Sequence, residues 1–554
     1  MKNERTNQPI GRRLPLLLST TLAALPFLPV IAKADHDDGE TSLLSRGFCN
    51  MKTTVNFYRL IVPTLLVMTS IAASTRAQEI FITDPGLDAA IHDALQIPKG
   101  PLTVQDMLDL TVLNASSRGI SDLGGLEAAH NLTTLNLESN QLTSITFSNG
   151  LTNLSSLDLS FNPLFRVAVS ADMTRLTNLE LFADELNRLI LPAELTNLTA
   201  IDLGQNQFTS LSLPSTLTRL ESLDLAINDF TNITLPAGLT SLTDLELWGN
   251  QLTSLTLPAD MTNLSILRLH FNQLTNLILP DGLKGLSLLV LQNNHFTTFN
   301  VSSILAGLSV LDLRGNGLAN VTFPAAMTNL QFLFLNNNQL TNLTLPAGMT
   351  GLTQLHLEGN RLASFNLPAG LARLEFLGLG INQLTNVSLA DGLGSLTQLN
   401  IEDNQLTNLT LPTGLTNLAT LVLDGNQLTN LTLPPDLTKL STLLLDANPL
   451  TSLVVSEPLA ATNLAGLVIS LHNQGVSVFS YPLAVQLVRP LPLIGAFKFG
   501  ILGPPGVYTV LASSDLSNWS EVGTARNPLG AINFVDVTSN LFTQRFYRVL
   551  LQSP

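Results

Sequence analysis

The chain has 554 residues, of which 45% are hydrophobic, only 5% aromatic and 12% charged, a composition too apolar for a disordered protein. Acidic residues outnumber basic ones by 41 to 26, for a formal net charge of −15, so a phosphate backbone would repel the chain and nucleic acid is not the expected partner. Cys49 is the only cysteine, so no intramolecular disulfide can form.

In chain order, residues 1–50 hold a signal-like leader. Lys2, Arg5, Arg12 and Arg13 precede an apolar run from Leu14 to Ala32, and Ala32-Lys33-Ala34 has the small-x-small form of a cleavage site. A second signal peptide fills 51–77, with Lys52 and Arg59 before an apolar core from Leu60 to Ala73 and a cleavage zone over Ala72 to Ala77. Two signals in series have no mechanical use, so translation is expected to start at Met51, with cleavage near Gln78; from either start the chain is exported. The second apolar core is shorter than the roughly 20 residues that span a bilayer, and no later run reaches that length, so no transmembrane segment is expected in the mature chain. Without 1–77 the chain keeps 17 basic and 36 acidic residues.

Residues 78–112 read as a helical N-terminal cap. Asp84-Pro85 is a helix start, after which Leu87, Ile91, Ala94 and Leu95 share a face. Thr103 to Asp106 has the spacing of a second capping box, ahead of Met107 and Leu108. Leu113 to Ile120 then reads as a degenerate first coil.

From Leu132 the chain follows L-x-x-L-x-L-x-x-N-x-L-T-x-L-x-L-P-x-x-L-x-x, with its asparagine at Asn140, Asn162 and every 22nd residue to Asn448, and Asp184 in the one exceptional slot. That makes 15 units. The pattern resembles the leucine-rich repeat family, and the cap resembles the helical cap of bacterial members, including the internalin-like ones. Elementary physics gives the same fold. The leucines of L-x-L alternate as in a strand with one buried face, x-x-N turns the chain, and the next strand stacks parallel about 4.8 Å further on. A single coil cannot bury its leucines; 15 stacked coils give a mostly β solenoid roughly 70 Å long with little helix. The asparagine should pair backbone groups that the turn leaves open, and Asp184, which cannot donate when ionised, should mark a weak point. The second half of each unit, as in Leu343-Thr344-Leu345-Pro346, also alternates and is read as a short extended segment ended by proline. Triplets such as Asn197-Leu198-Thr199 and Asn408-Leu409-Thr410 are read as this template and not as glycosylation acceptors.

The repeats are expected over 113–475 and a small antiparallel β-sandwich over 476–554. Its expected strands are Phe497–Leu502, Tyr508–Ala512, Ile532–Val537 and Phe546–Leu551, with Gly503-Pro504-Pro505-Gly506 as a turn. Tyr508 to Leu516, Trp519 and Phe546-Tyr547-Arg548 resemble a short all-β module at the C-terminus of many exported bacterial multidomain proteins, which implies placement at the cell surface.

No catalytic motif occurs: there is no H-E-x-x-H, G-x-S-x-G, phosphate loop or dinucleotide glycine pattern. His270, His295 and His356 sit in separate units without metal-ligand spacing and are read as surface residues, so neither metal nor cofactor is expected. One departure from the template is concerted. Asp158, Glu180, Asp202, Asp224 and Glu246 fill the outward position between the strand leucines in five successive units, and Arg268 follows. Neighbours about 4.8 Å apart would repel by roughly 0.9 kcal/mol in water, with modestly raised pKa values. Phe161, Phe182, Trp248 and Phe271 project nearby, and aromatics beside charges are the usual anchors of interfaces. These nine residues are the candidate partner-binding set. The expected function is that of an exported, non-enzymatic protein that binds a protein or glycan through its strand face, and the acidic row points to a partner of basic or cationic character. A structural role in the cell envelope is the alternative, and a carbohydrate-active enzyme the third reading.

Overall fold

A computed structural model describes residues 78–552, apart from 148, 149 and 326; both signal segments lie outside the described residues. Each coil begins with a three-residue strand. Sixteen of these, from Val112–Asn114 to Thr442–Leu444, form one parallel sheet in sequence order, the 15 template units plus the degenerate first coil. The register is 22 throughout, so that Leu223 faces Leu245 and Leu245 faces Leu267. These central leucines are buried, while their neighbours on either side point outward, as the two-residue period of a strand requires.

The turn asparagines fasten coil to coil. Asn272, itself buried, accepts a hydrogen bond at Oδ1 from the Leu252 N–H (2.9 Å) and donates from Nδ2 to the carbonyls of Leu247 (2.9 Å) and Leu269 (3.0 Å). Two of those three groups belong to the preceding coil. The pattern recurs at Asn228, Asn250, Asn294 and Asn360, and it is the donor-and-acceptor duty that a carboxylate cannot perform.

Asp184 shows the consequence. Its Oδ1 accepts from the Asn162 N–H at 2.7 Å, and the Leu164 N–H, which the template would direct to this side chain, turns to the Asn162 carbonyl instead. Its Oδ2 is buried with no partner. Burial, with a smaller contribution from Asp158, pushes this carboxyl up to about 8, against the lowering effect of the Asn162 bond.

The Asn-x-Thr triplets in the return turn are structural as well. Asn197 donates to the Thr174 carbonyl (2.7 Å) and the Thr199 hydroxyl to the Thr177 carbonyl (3.1 Å), both in the preceding coil. The second wall consists of short parallel pairings, such as Ser144–Thr146 with Arg166–Ala168 and Thr298–Asn300 with Asn320–Thr322. Thr234, Thr256 and Ile278 meet only as single bridges.

Both ends of the stack are covered. Helix Pro85–Leu95 starts at Asp84, whose Oδ1 accepts from Gly86 and Leu87 and whose Oδ2 accepts from the Ser121 N–H. Burial alone would raise the Asp84 pKa, but backbone N–H groups of Ser121, Leu87, Gly86 and Asp122 together hold it below the usual value. Leu87 and Ile91 are buried as expected and Ala90 with them, whereas Ala94 is exposed near the helix end. Thr103 and Asp106 form the reciprocal capping box of helix Val104–Asp109.

At the other end, strand Ser452–Ser456 leads into helices Glu457–Ala461 and Ala465–Asn473, which the sequence reading did not anticipate. Strand Ser477–Tyr481 then pairs parallel with Ser452–Ser456, so the coil stack runs past residue 475, where the repeats were expected to end. Beyond it lie two three-stranded antiparallel sheets. Gln486–Leu493, Ala496–Leu502 and Ala531–Asp536 make one; Ser520–Asn527, Gly506–Ser513 and Phe546–Leu551 make the other. They enclose Phe499, Ile501, Tyr508, Val510 and Ala525. Gln486–Leu493 and Ser520–Asn527 had no expected counterpart, since Pro490 and Pro492 interrupt the first and Gly523 the second.

Candidate interaction surface

Three outward residues per coil line the strand face: the first and third of each strand and the second residue beyond it. The third-residue column carries the acidic strip. Asp158 stands opposite Glu180, Glu180 opposite Asp202, Asp202 opposite Asp224 and Asp224 opposite Glu246. The structure therefore brings all five together in one row. Each is half-buried.

Local turns position these groups. Asp202 accepts from the Gly204 N–H (2.8 Å), Asp224 from the Ala226 N–H (2.7 Å) and Asp158 from the Ser160 N–H (3.0 Å). Burial is the main cause raising the Asp224 carboxyl to about 7, with Asp202, Glu246 and Asp244 adding to it. Asp202 is raised for the same reason, with Glu180, Glu246 and Asp158 contributing. Desolvation thus outweighs the like-charge repulsion on which the sequence estimate rested. Arg268 closes the row by pairing with Glu246 and lies 3.5 Å from Asp244.

The four aromatic residues separate into two groups, one at each end of the row. Phe161 and Phe182 meet edge to face with ring centres 5.4 Å apart. Trp248 stacks on His270 at 5.1 Å, His270 lies 5.5 Å from Phe271, and the Trp248 indole N–H donates to Glu246. Burial lowers the His270 pKa, so this ring is the neutral middle of a stack and not the surface residue expected. Phe161 (48% exposed) and Phe271 (52%) occupy a left-handed turn position, φ 60° and 55°, that most coils fill with other non-glycine residues, such as Gln205, Ile227 and Asn293, and a few with glycine, such as Gly249 and Gly315.

A second group went unnoticed in the sequence. Phe334, His356 and Phe376 stack in sequence, with ring centres 4.8 and 4.4 Å apart, and Phe332 lies beside Phe334 at 6.4 Å. The Arg314 guanidinium covers the Phe334 ring at 4.8 Å while pairing with buried Asp312. His356 is therefore also part of a stack, whereas His295 is exposed as expected. Among the described residues no group of three or more His, Cys, Asp or Glu side chains is arranged to hold a metal ion, and no helix is long and apolar enough to cross a membrane.

Family models match along the repeats. A BspA-type leucine-rich repeat region matches residues 137–223, 203–310 and 379–463, and a two-copy leucine-rich repeat model matches 328–369. No curated protein matches the chain. Among solved structures, the functional domain of InlJ from Listeria monocytogenes is 19% identical over 82% of this chain and 91% of its own, with a TM-score of 0.48. The internalin InlF from the same organism is 23% identical over 72% and 95%, with a TM-score of 0.39. YopM from Yersinia pestis is 22% identical over 67% and 91%, with a TM-score of 0.46. With their 22-residue spacing, buried strand leucines and asparagine ladder, the coils of this chain are leucine-rich repeats, similar over part of their length to the BspA type.

Proposed function

We propose that this chain is an exported, non-enzymatic binding protein whose strand face engages a protein or glycan partner of basic character, with the C-terminal sandwich serving placement at the cell surface. The observation that carries the reading is the in-register row of five half-buried carboxylates between two aromatic groups. Partly desolvated carboxylates gain from a cation that replaces lost water, and exposed rings beside them supply apolar contact area. Asp158, Glu180, Asp202, Asp224 and Glu246 would meet the charged part of the partner, and Phe161, Phe182, Trp248 and Phe271 the apolar part.

A surface pull-down, paired with a glycan array, tests this proposal. The variant Glu180→Gln/Asp202→Asn/Asp224→Asn should lose the captured partner and flatten the salt dependence of capture, since a screened attraction is removed. Its stability should be unchanged or slightly higher, because amides accept the same backbone N–H bonds without the burial penalty of a charge. Capture that is insensitive to the variant would sink the proposal. A structural role in the envelope is the second reading, favoured by the uniformity of the second wall. Failure of any soluble partner to bind, together with self-assembly of the chain, would favour it.

A further inference from the structure

The outward positions of the second wall are nearly invariant. Thr231, Asn232 and Thr234 recur as Thr253, Ser254 and Thr256, and as Thr429, Asn430 and Thr432, all exposed and uncharged. Two adjacent coils break this pattern with charged and apolar residues together, and Ile278 breaks it at one position of a later coil. Phe165 and Arg166 in one coil, and Arg188 and Ile190 in the next, replace the usual small polar residues. Val167 stands opposite Leu189 and Ala168 opposite Ile190, so the register sets Arg166 beside Arg188, with backbones about 4.8 Å apart. Phe165 is 58% and Ile190 62% exposed. With Ala168, Asn187 and Pro192 these side chains line a recess of about 600 Å³, a volume typical of small-molecule sites.

Charge gives the recess its ligand chemistry. Arg166 and Arg188 pair with no carboxylate among the described residues, and what sets them apart from other such arginines, Arg175 and Arg361 among them, is that they stand next to each other in neighbouring coils. Two guanidinium groups side by side repel, and one anion bridging both removes that repulsion while accepting paired N–H donors in the geometry of a tetrahedral oxyanion. The exposed phenyl and isoleucine side chains offer apolar contact next to that anion.

We propose that this recess binds a small organic anion, a phosphate or sulfate monoester of an aryl or alkyl group. Arg166 and Arg188 hold the oxyanion, and Phe165 and Ile190 cover the apolar part. The site lies on the wall across the core from the acidic strip and is independent of it.

Titration calorimetry of the full chain with phenyl phosphate at low ionic strength tests the assignment. The wild type should bind, and Arg166→Ser/Arg188→Ser, which restores residues that neighbouring coils carry, should weaken binding at least tenfold with an unchanged melting temperature. Phe165→Thr should weaken phenyl phosphate severalfold and leave inorganic phosphate unaffected. Absence of binding by the wild type, equal binding by a folded double-arginine variant, or equal affinity for inorganic and phenyl phosphate would each overturn the proposal. So would capture by vesicles of phosphatidylcholine and phosphatidic acid without binding of phenyl phosphate, which would assign the recess to a lipid surface.

Discussion

Replacing Asn272 with alanine is expected to destabilise the protein by about 1–3 kcal/mol, the cost of leaving a buried hydrogen-bonding group unpaired. The substitution leaves the buried Leu252 N–H without its acceptor and takes one of two amide donors from each of the Leu247 and Leu269 carbonyls, which keep Asn250 and Asn294 respectively. Two of the three groups lie in the neighbouring coil, so the loss falls on the contact between coils. Chemical denaturation of the variant beside the wild type measures the change. A shift within experimental error would mean that the ladder does not carry coil-to-coil stability.

The second large effect concerns Asp184. Its folded-state pKa, about 8, lies above the ordinary 3.8, so between those values the folded protein binds more protons than the unfolded one. Stability from this group is therefore full below about pH 4 and is lost as pH rises through 8. Asp184→Asn should remove that fall, because an amide at this position can donate where Oδ2 finds no partner. The expected gain is small at pH 5 and grows to a few kcal/mol at pH 9. Asp202 and Asp224 contribute a slope of the same sign, so the wild type minus variant difference isolates Asp184. A difference independent of pH would show that Asp184 is ionised in the folded chain throughout that range.

The solenoid was legible in the sequence because its signal repeats. One L-x-L alternation is weak evidence, but Leu223, Leu245 and Leu267 recurring in phase define strand, buried face and register together. The acidic row was legible for the same reason, as a concerted departure from a strict template. What escaped notice depended on relations across columns. The Phe334–His356–Phe376 stack joins third-residue positions in two coils to a first-residue position in the next, so no single column displays it. Arg166 and Arg188 appear ordinary until the uncharged wall around them is in view. The helices Glu457–Ala461 and Ala465–Asn473 are short and interrupt a broken register, although Ser456-Glu457-Pro458 carries the same kind of start signal as Asp84-Pro85. The half-burial of Asp202 and Asp224 depends on the side chains around them in three dimensions, which spacing alone does not convey.

Binding of a cationic partner by the acidic row is the central claim, and titration of the wild-type protein with a lysine-rich peptide at low ionic strength tests it most directly. The account predicts measurable binding at pH 8 that weakens roughly tenfold by pH 5, as Asp224, with its pKa near 7, and the likewise raised Asp202 take up protons while the peptide keeps its charge. No measurable binding at either pH, or binding equally strong at both, would contradict it.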